Sequence, residues 1–315
     1  MRLTSRAVAV VSFVSIAIAS TSAVQTKKPI ATLEPTGRVA LTFDDLPVHG
    51  ALPPGLSRVG IARRIVETLA SYHTPPVYGF VNGKAADEDP EGRDVLRVWR
   101  AAGNPLANHT FSHMDLHASS VDAFEQDVIA NEPVLRAFMT DDDWRWFRFP
   151  FLREGDTPEK YRAVRAFLKQ RGYRVAQVTL SFHDYAYNDP YARCLARGDK
   201  EALAWLEKQY IDQAATSLTE GQAARAMFGR DIPHVMLLHV GGFQTVMLPR
   251  LLDLLSRRGF VLTTLDEAQA DPAYTIVPTR AANWSGTLIE QMRRDPAPAA
   301  SLDNLFQRLA GVCTG

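Results

Sequence analysis

The sequence predicts an α/β fold whose largely parallel sheet, of about seven strands, closes or nearly closes into a barrel. Three observations predict it. Short apolar segments alternate with segments of helical periodicity from residue 38 to residue 265, and strands separated by helices of about 10–15 residues are the pattern of βαβ units. Ionisable residues follow the carboxyl ends of several apolar segments, and in parallel barrels those ends share one face. The chain has 315 residues, 46% of them apolar, enough for one barrel with insertions and its core.

Each element has its own signal. Residues 38–43 read as a short buried strand, and 57–72 as a helix with Ile61, Ile65, Val66 and Leu69 along one side. A strand at 77–81 is followed by a helix at 91–102 that stops at Gly103. Residues 105–108 lead into a histidine-rich loop, and Ser119 or Ser120 can cap a helix running towards Phe138. Strands are predicted at 144–149 and 173–180. Between them Thr157-Pro158-Glu159 opens a helix with a cap, a first-turn proline and a first-turn acid. A long helical insertion occupies about 190–230, with its helix from Asp199 to about Ala226. A strand at 234–239, a helix at 248–258 and a strand at 260–265 complete the pattern. Residues 272–315 read as a C-terminal extension packed on a barrel spanning 38–271.

The first residues carry an address. Arg2 and Arg6 precede an apolar stretch at 7–19, then small residues up to Ala23. This is the order of a secretory signal cleaved after residue 23, with 24–37 as a polar linker. The apolar run is shorter than the roughly 18–20 residues of a spanning helix, so no stable membrane span is expected after cleavage. The expected location is outside the cytoplasm, periplasmic or secreted. There Cys194 and Cys313 can pair or remain separate thiols. The formal net charge is zero and no basic cluster stands out, which argues against nucleic acid as a partner.

Chemistry concentrates at a few positions. Asp44-Asp45 ends the first strand, and two adjacent carboxylates are costly to bury without a cation. His109 and His113 are four apart, a spacing that on a helical turn points both imidazoles at one ion. Two histidines and one carboxylate leave coordination positions open, as catalytic metal sites require. The same set serves non-haem iron oxygenases, but there the carboxylate lies close to the first histidine, whereas here it lies far upstream. Arg148, Asp184 and His239 also fall at predicted strand ends.

Five segments, in order, resemble the motifs of the polysaccharide deacetylases, carbohydrate esterase family 4. They are Thr42-Phe-Asp-Asp45, His109-Thr-Phe-Ser-His113, Arg148-Phe-Pro-Phe151, the looser Ser181-Phe-His-Asp-Tyr185, and Leu237-Leu-His239. The resemblance implies a distorted (β/α)7 barrel. It implies that Asp45, His109 and His113 hold a divalent metal, zinc first, with cobalt or nickel as alternatives. Asp44 is implied as the general base, Arg148 as the residue that orients and tunes it, and His239 as the general acid supported by Asp184. Phe151, Tyr185 and Leu237 are implied as substrate contacts, with an acetylated glycan as partner. The family has glycine where this chain has Leu46, and tryptophan where it has Tyr185. Two other functions share this residue set: hydrolysis of an O-acetyl ester or small amide, and glycan binding without turnover.

Overall fold

The computed structural model describes residues 36–140, 143–278, 284–293 and 300–314. The leader at 1–23 and nearly all of the linker lie outside the described residues. Seven strands form the sheet: β1 (Gly37–His49), β2 (Tyr78–Val81), β3 (Leu106–Asn108), β4 (Trp146–Phe147), β5 (Arg174–Val175), β6 (His234–Gly241) and β7 (Phe260–Leu262). Their order is β5-β4-β3-β2-β1-β6, with β7 beside β1, and every pairing is parallel. Past β5 the chain reaches β6: Leu180 bridges Met236, accepting from Leu237 N–H and donating to Val235 O, both at 3.0 Å. The parallel sheet thus curls back on itself with helices outside it, a distorted (β/α) barrel as expected.

β1 is the axis of the sheet because it is apolar on both faces. Val39, Ala40, Leu41 and Phe43 are all buried, the continuous run that a strand covered on two sides needs. Helix Arg58–Ser71 turns Ile61, Ile65, Val66 and Leu69 inward and starts at Ser57, whose hydroxyl accepts from Gly60 N–H. Thr157 and Asp199 cap helices Pro158–Gln170 and Lys200–Ala223 in the same way.

Two strands are shorter than predicted. At 144–149 only Trp146 and Phe147 form a strand, and at 173–180 only Arg174 and Val175 do, with Leu180 pairing as an isolated bridge. The cause lies in where the next carbonyls go. Ala176 O accepts from Arg148 Nε at 2.8 Å, and Val178 O accepts from Leu288 N–H at 2.7 Å. A side chain and a distant backbone take the bonds a neighbouring strand would have used. The last strand also stops early, because Thr264 and Glu267 form a capping box that starts a helix at Leu265. The helix predicted at 248–258 begins earlier, at Gln244.

Residues 188–228 fold as helices Asn188–Arg197, Lys200–Ala223 and Arg225–Phe228. The C-terminal helix Ala300–Gly311 is fastened to the first of these. Cys194 and Cys313 form a disulfide across 119 residues, and the Arg193 guanidinium donates to the carbonyls of Leu309 and Val312. Opening so long a loop by Cys194→Ser with Cys313→Ser is expected to cost about 2–5 kcal/mol of unfolding free energy. Urea unfolding of that variant beside the oxidised parent checks it; coincident curves would refute a stabilising role.

Candidate metal and acid–base site

A regular strand sends neighbouring side chains to opposite faces, so Asp44 and Asp45 cannot both face one site from an undistorted β1. The strand is distorted there. Its register against β2 shifts between Phe43 and Leu46, and against β6 between Asp44 and His49. Asp45 takes the left-handed conformation, φ 62°. The irregularity brings both carboxylates to the imidazole of His109. The bulk of Leu46 goes the other way, into the core, where its methyl groups fill the space left open at Gly79.

The His109–His113 segment is a loop after β3, as expected, and not the helical turn on which a four-residue spacing would align two side chains. Thr110 and His113 are both left-handed, at φ 63° and 57°, and a buried polar network holds them so. Asn82 Nδ2 donates to His109 O and Asn108 Oδ1 accepts from Thr110 N–H. Asp127 takes both the N–H and the hydroxyl of Ser112, and Asn131 Nδ2 donates to Asn108 Oδ1. The sequence reading missed these supports. Their signal is polar residues at 127 and 131 on the buried face of helix Val121–Phe138.

The loop brings His109 Nε2 to 3.4 Å and His113 Nε2 to 3.3 Å from Asp45 Oδ1, and one ligand atom from each of the three residues lies within 4.8 Å of the others. Asp45 Oδ1 is buried yet has no hydrogen-bond partner, an arrangement that costs free energy unless something else meets it. His109 Nδ1 lies 2.8 Å from Arg148 O. A carbonyl only accepts, so Nδ1 carries a hydrogen and Nε2 is the ring nitrogen that faces Asp45. Burial, then the charge of His109, pushes the His113 imidazolium down to about 4, leaving a neutral ring. Burial opposes the charge of Asp45, but His109, His239 and His113 outweigh it and hold the carboxyl well below the usual range. A carboxylate and two imidazoles around an unsatisfied oxygen suit a divalent cation.

Two further pairs flank this group. Arg148, immediately after β4, is 1% exposed and sends Nη1 to both oxygens of Asp44, at 3.2 and 3.3 Å. Its Nη2 meets Thr42 Oγ1 at 3.2 Å, and its plane lies over Phe80. On the other side His239, within β6, is gripped by Asp184. One carboxylate oxygen is 2.8 Å from His239 Nδ1 and the other accepts its backbone N–H at 2.8 Å. Burial alone would lower the His239 pKa; Asp184, with Asp45 and Asp44, overrides it and raises it to about 9. Asp184 does not end a strand as expected. It opens the 3₁₀ turn Asp184–Tyr187, beyond the bridge at Leu180. The structure thus brings together all seven ionisable residues singled out in the sequence.

Residues 33–176 match the sequence model of the family described as polysaccharide deacetylase. Over those residues the chain is similar to a polysaccharide deacetylase domain. Several solved structures are similar to it. A mutant of BA3943, a carbohydrate esterase family 4 pseudoenzyme from Bacillus anthracis, is 16% identical, with 75% of this chain and 68% of that one covered and a TM-score of 0.50. A chitin deacetylase from Colletotrichum lindemuthianum is 22% identical, with coverage of 75% and 88% and a TM-score of 0.49. The family 4 carbohydrate esterase PdaA of Bacillus subtilis is 16% identical, with coverage of 76% and 82% and a TM-score of 0.48.

The metal-type group sits in a cleft of about 590 Å³. Phe151, Tyr185 and Leu237 line it; the first two are 54% and 37% exposed and Leu237 is buried. The Phe151 ring stands edge-on to His113 at 4.5 Å, and Tyr185 edge-on to His239 at 5.2 Å. His49 adds a second edge to His239 at 5.4 Å and lies 3.9 Å from Asp45 Oδ2. One wall was not foreseen: Ser285, Gly286, Glu290 and Arg293, from the C-terminal extension, also line the cleft.

Proposed function

We propose that this protein is a metal-dependent hydrolase that removes acetyl groups, foremost N-acetyl groups from an N-acetylglucosamine-containing polysaccharide or oligosaccharide. One observation carries the reading: a carboxylate aligned by arginine and a histidine aligned by aspartate stand on either side of an Asp-His-His group. That is a base, an acid and a place for a Lewis acid in a single cleft.

Asp45, His109 and His113 hold the cation, with zinc favoured by the nitrogen-rich donor set. When bound, the metal supplies polarisation of the acetyl carbonyl and acidification of a water molecule. Asp44 takes the proton of the attacking water, its carboxylate fixed by the two contacts from Arg148. His239 delivers a proton to the departing amine nitrogen, a poor leaving group unless protonated. The raised pKa of His239 keeps that proton available at neutral pH. Phe151 and Tyr185 offer aromatic faces to the sugar. Among the described residues no helix is long and apolar enough to cross a membrane. The leader-like order of residues 1–23 supports the reading of an exported enzyme that meets glycans outside the cytoplasm.

The test is acetate release from N-acetylated chitooligosaccharides by metal-stripped protein, with and without restored zinc, beside acetylated xylan. Zinc-dependent release from the amide supports the proposal. Release from the ester alone moves the reaction to O-acetyl groups. Binding of zinc and glycan with no turnover on either makes the barrel a binding module.

The proton on His239 gives a pH prediction. A general acid must be protonated, so activity falls as pH rises through its pKa. Asp184 is what holds that pKa up against burial, so Asp184→Asn is expected to move the alkaline limb of kcat to lower pH. An unmoved limb would assign the proton to another group.

A further inference from the structure

The family match ends at residue 176, but the cleft does not. Ser285, Gly286, Glu290 and Arg293 line the same cavity as Asp44 and His113. This segment is stitched to the loop that carries Phe151. Arg153 and Ser285 form an antiparallel bridge, Gly286 N–H donates to Leu152 O at 3.1 Å, and Glu154 N–H donates to Trp284 O at 2.8 Å. Beneath them the Glu154 carboxylate, 3% exposed, accepts from Gln177 and Gln291 on one oxygen and from Arg165 on the other. Trp284 stacks on Tyr161 at 4.8 Å. Phe151 and Leu152 are both left-handed, φ 57° and 53°, and such conformations persist only where surrounding structure over-determines them. The C-terminal segment is that surrounding structure.

We infer that residues 284–293 complete the substrate cleft as a saccharide subsite, in which Glu290 and Arg293 hold the sugar unit beside the acetylated one. The inference rests on the deacetylase reading above and extends it to chain-length selection. Three observations carry it. The cavity, about 590 Å³, falls in the range of sites that enclose a whole small ligand, far more than an acetyl group fills. Glu290 is exposed and uses Oε2 to cap the Thr287 N–H, leaving its other oxygen to accept from a sugar hydroxyl. Arg293 faces Glu220 at 3.5 Å, and a guanidinium has five N–H donors, more than that contact uses. A planar acceptor and a planar donor in a cleft that also holds the exposed rings of Phe151 and Tyr185 match a neutral pyranose: hydroxyls at its edge, apolar C–H groups on its face. Ser285 and Gly286 act as positioning residues for the Phe151 loop.

The experiment compares the parent with Glu290→Gln, Arg293→Ala and the combined variant on N-acetylglucosamine and its tetramer. It reads kcat/KM for each substrate and, separately, calorimetric binding of the tetramer. Glu290→Gln retains the bond to Thr287 while removing the charge. The ratio of kcat/KM for tetramer over monomer is expected to fall at least about tenfold in the combined variant, the size of a single charged hydrogen bond. A ratio unchanged while both rates fall together would make the segment purely structural and overturn the subsite. Should the parent bind tetramer without hydrolysing it, an about tenfold weaker Kd in the variant sustains the subsite although the catalytic reading fails. Parent protein that neither binds nor hydrolyses the tetramer sinks both.

Discussion

Asp44→Asn is expected to lower kcat by about 10²–10⁴-fold, the range for loss of a positioned general base, while zinc affinity changes little. Asparagine has the shape of aspartate and can keep a contact with Arg148, but it cannot take a proton. Asp45, not Asp44, is the residue whose oxygen lies 3.3–3.4 Å from the two imidazoles. Paired measurements of kcat and bound zinc separate the roles of these neighbours. Asp45→Asn should lose metal and activity together; Asp44→Asn should lose activity alone. If Asp44→Asn retains activity near that of the parent, the proton goes elsewhere and the proposed mechanism is wrong.

Arg148→Met is expected to destabilise the fold by about 3–5 kcal/mol, the cost of leaving one member of a buried ion pair uncompensated. The guanidinium has no water to fall back on. It satisfies Asp44, Thr42 Oγ1 and Ala176 O at once, with its face on Phe80. Methionine fills part of the volume and none of the bonds. Lysine is a poor substitute because it lacks the planar fork. Denaturant unfolding of metal-free protein measures the loss. Adding Asp44→Leu to Arg148→Met removes the stranded charge and should recover a large part of it. A further loss in the double variant would mean that packing, not charge, is what Arg148 contributes.

Much of the architecture was legible in the sequence because it depends on periodicity and caps. The apolar run of β1, the stripe at Ile61, Ile65, Val66 and Leu69, and the caps at Ser57, Thr157 and Asp199 all sit where elementary rules place them. What escaped depends on contacts distant in sequence. Strands β4 and β5 are short because carbonyls 176 and 178 are taken by Arg148 and Leu288, and no local pattern announces that. The spacing of His109 and His113 identified a pair that meets, in the loop that the sequence placed after residue 108, but not what shapes that loop. Asn82, Asn108, Asp127 and Asn131, distant in sequence, give that loop its shape. The segment at 284–293 read as an appendage because a cleft wall is defined by what lies across from it. Within it, only the capping box of Thr287 and Glu290 had a sequence signature.

The left-handed residues have a consequence for anyone who wishes to harden this protein. Asp45, Thr110, His113, Phe151, Leu152 and His183 all adopt positive φ, and all belong to the cleft or the loops that shape it. Each costs roughly 1–2 kcal/mol relative to a residue free to adopt that conformation. Selection for heat tolerance alone, blind to turnover, would find its easiest gains by writing glycine or asparagine into these positions. It would erase in turn a proposed metal ligand, a cleft wall and the rim aromatic. A library meant to yield a robust catalyst should therefore keep these six codons invariant and look for its gains on the outer helices.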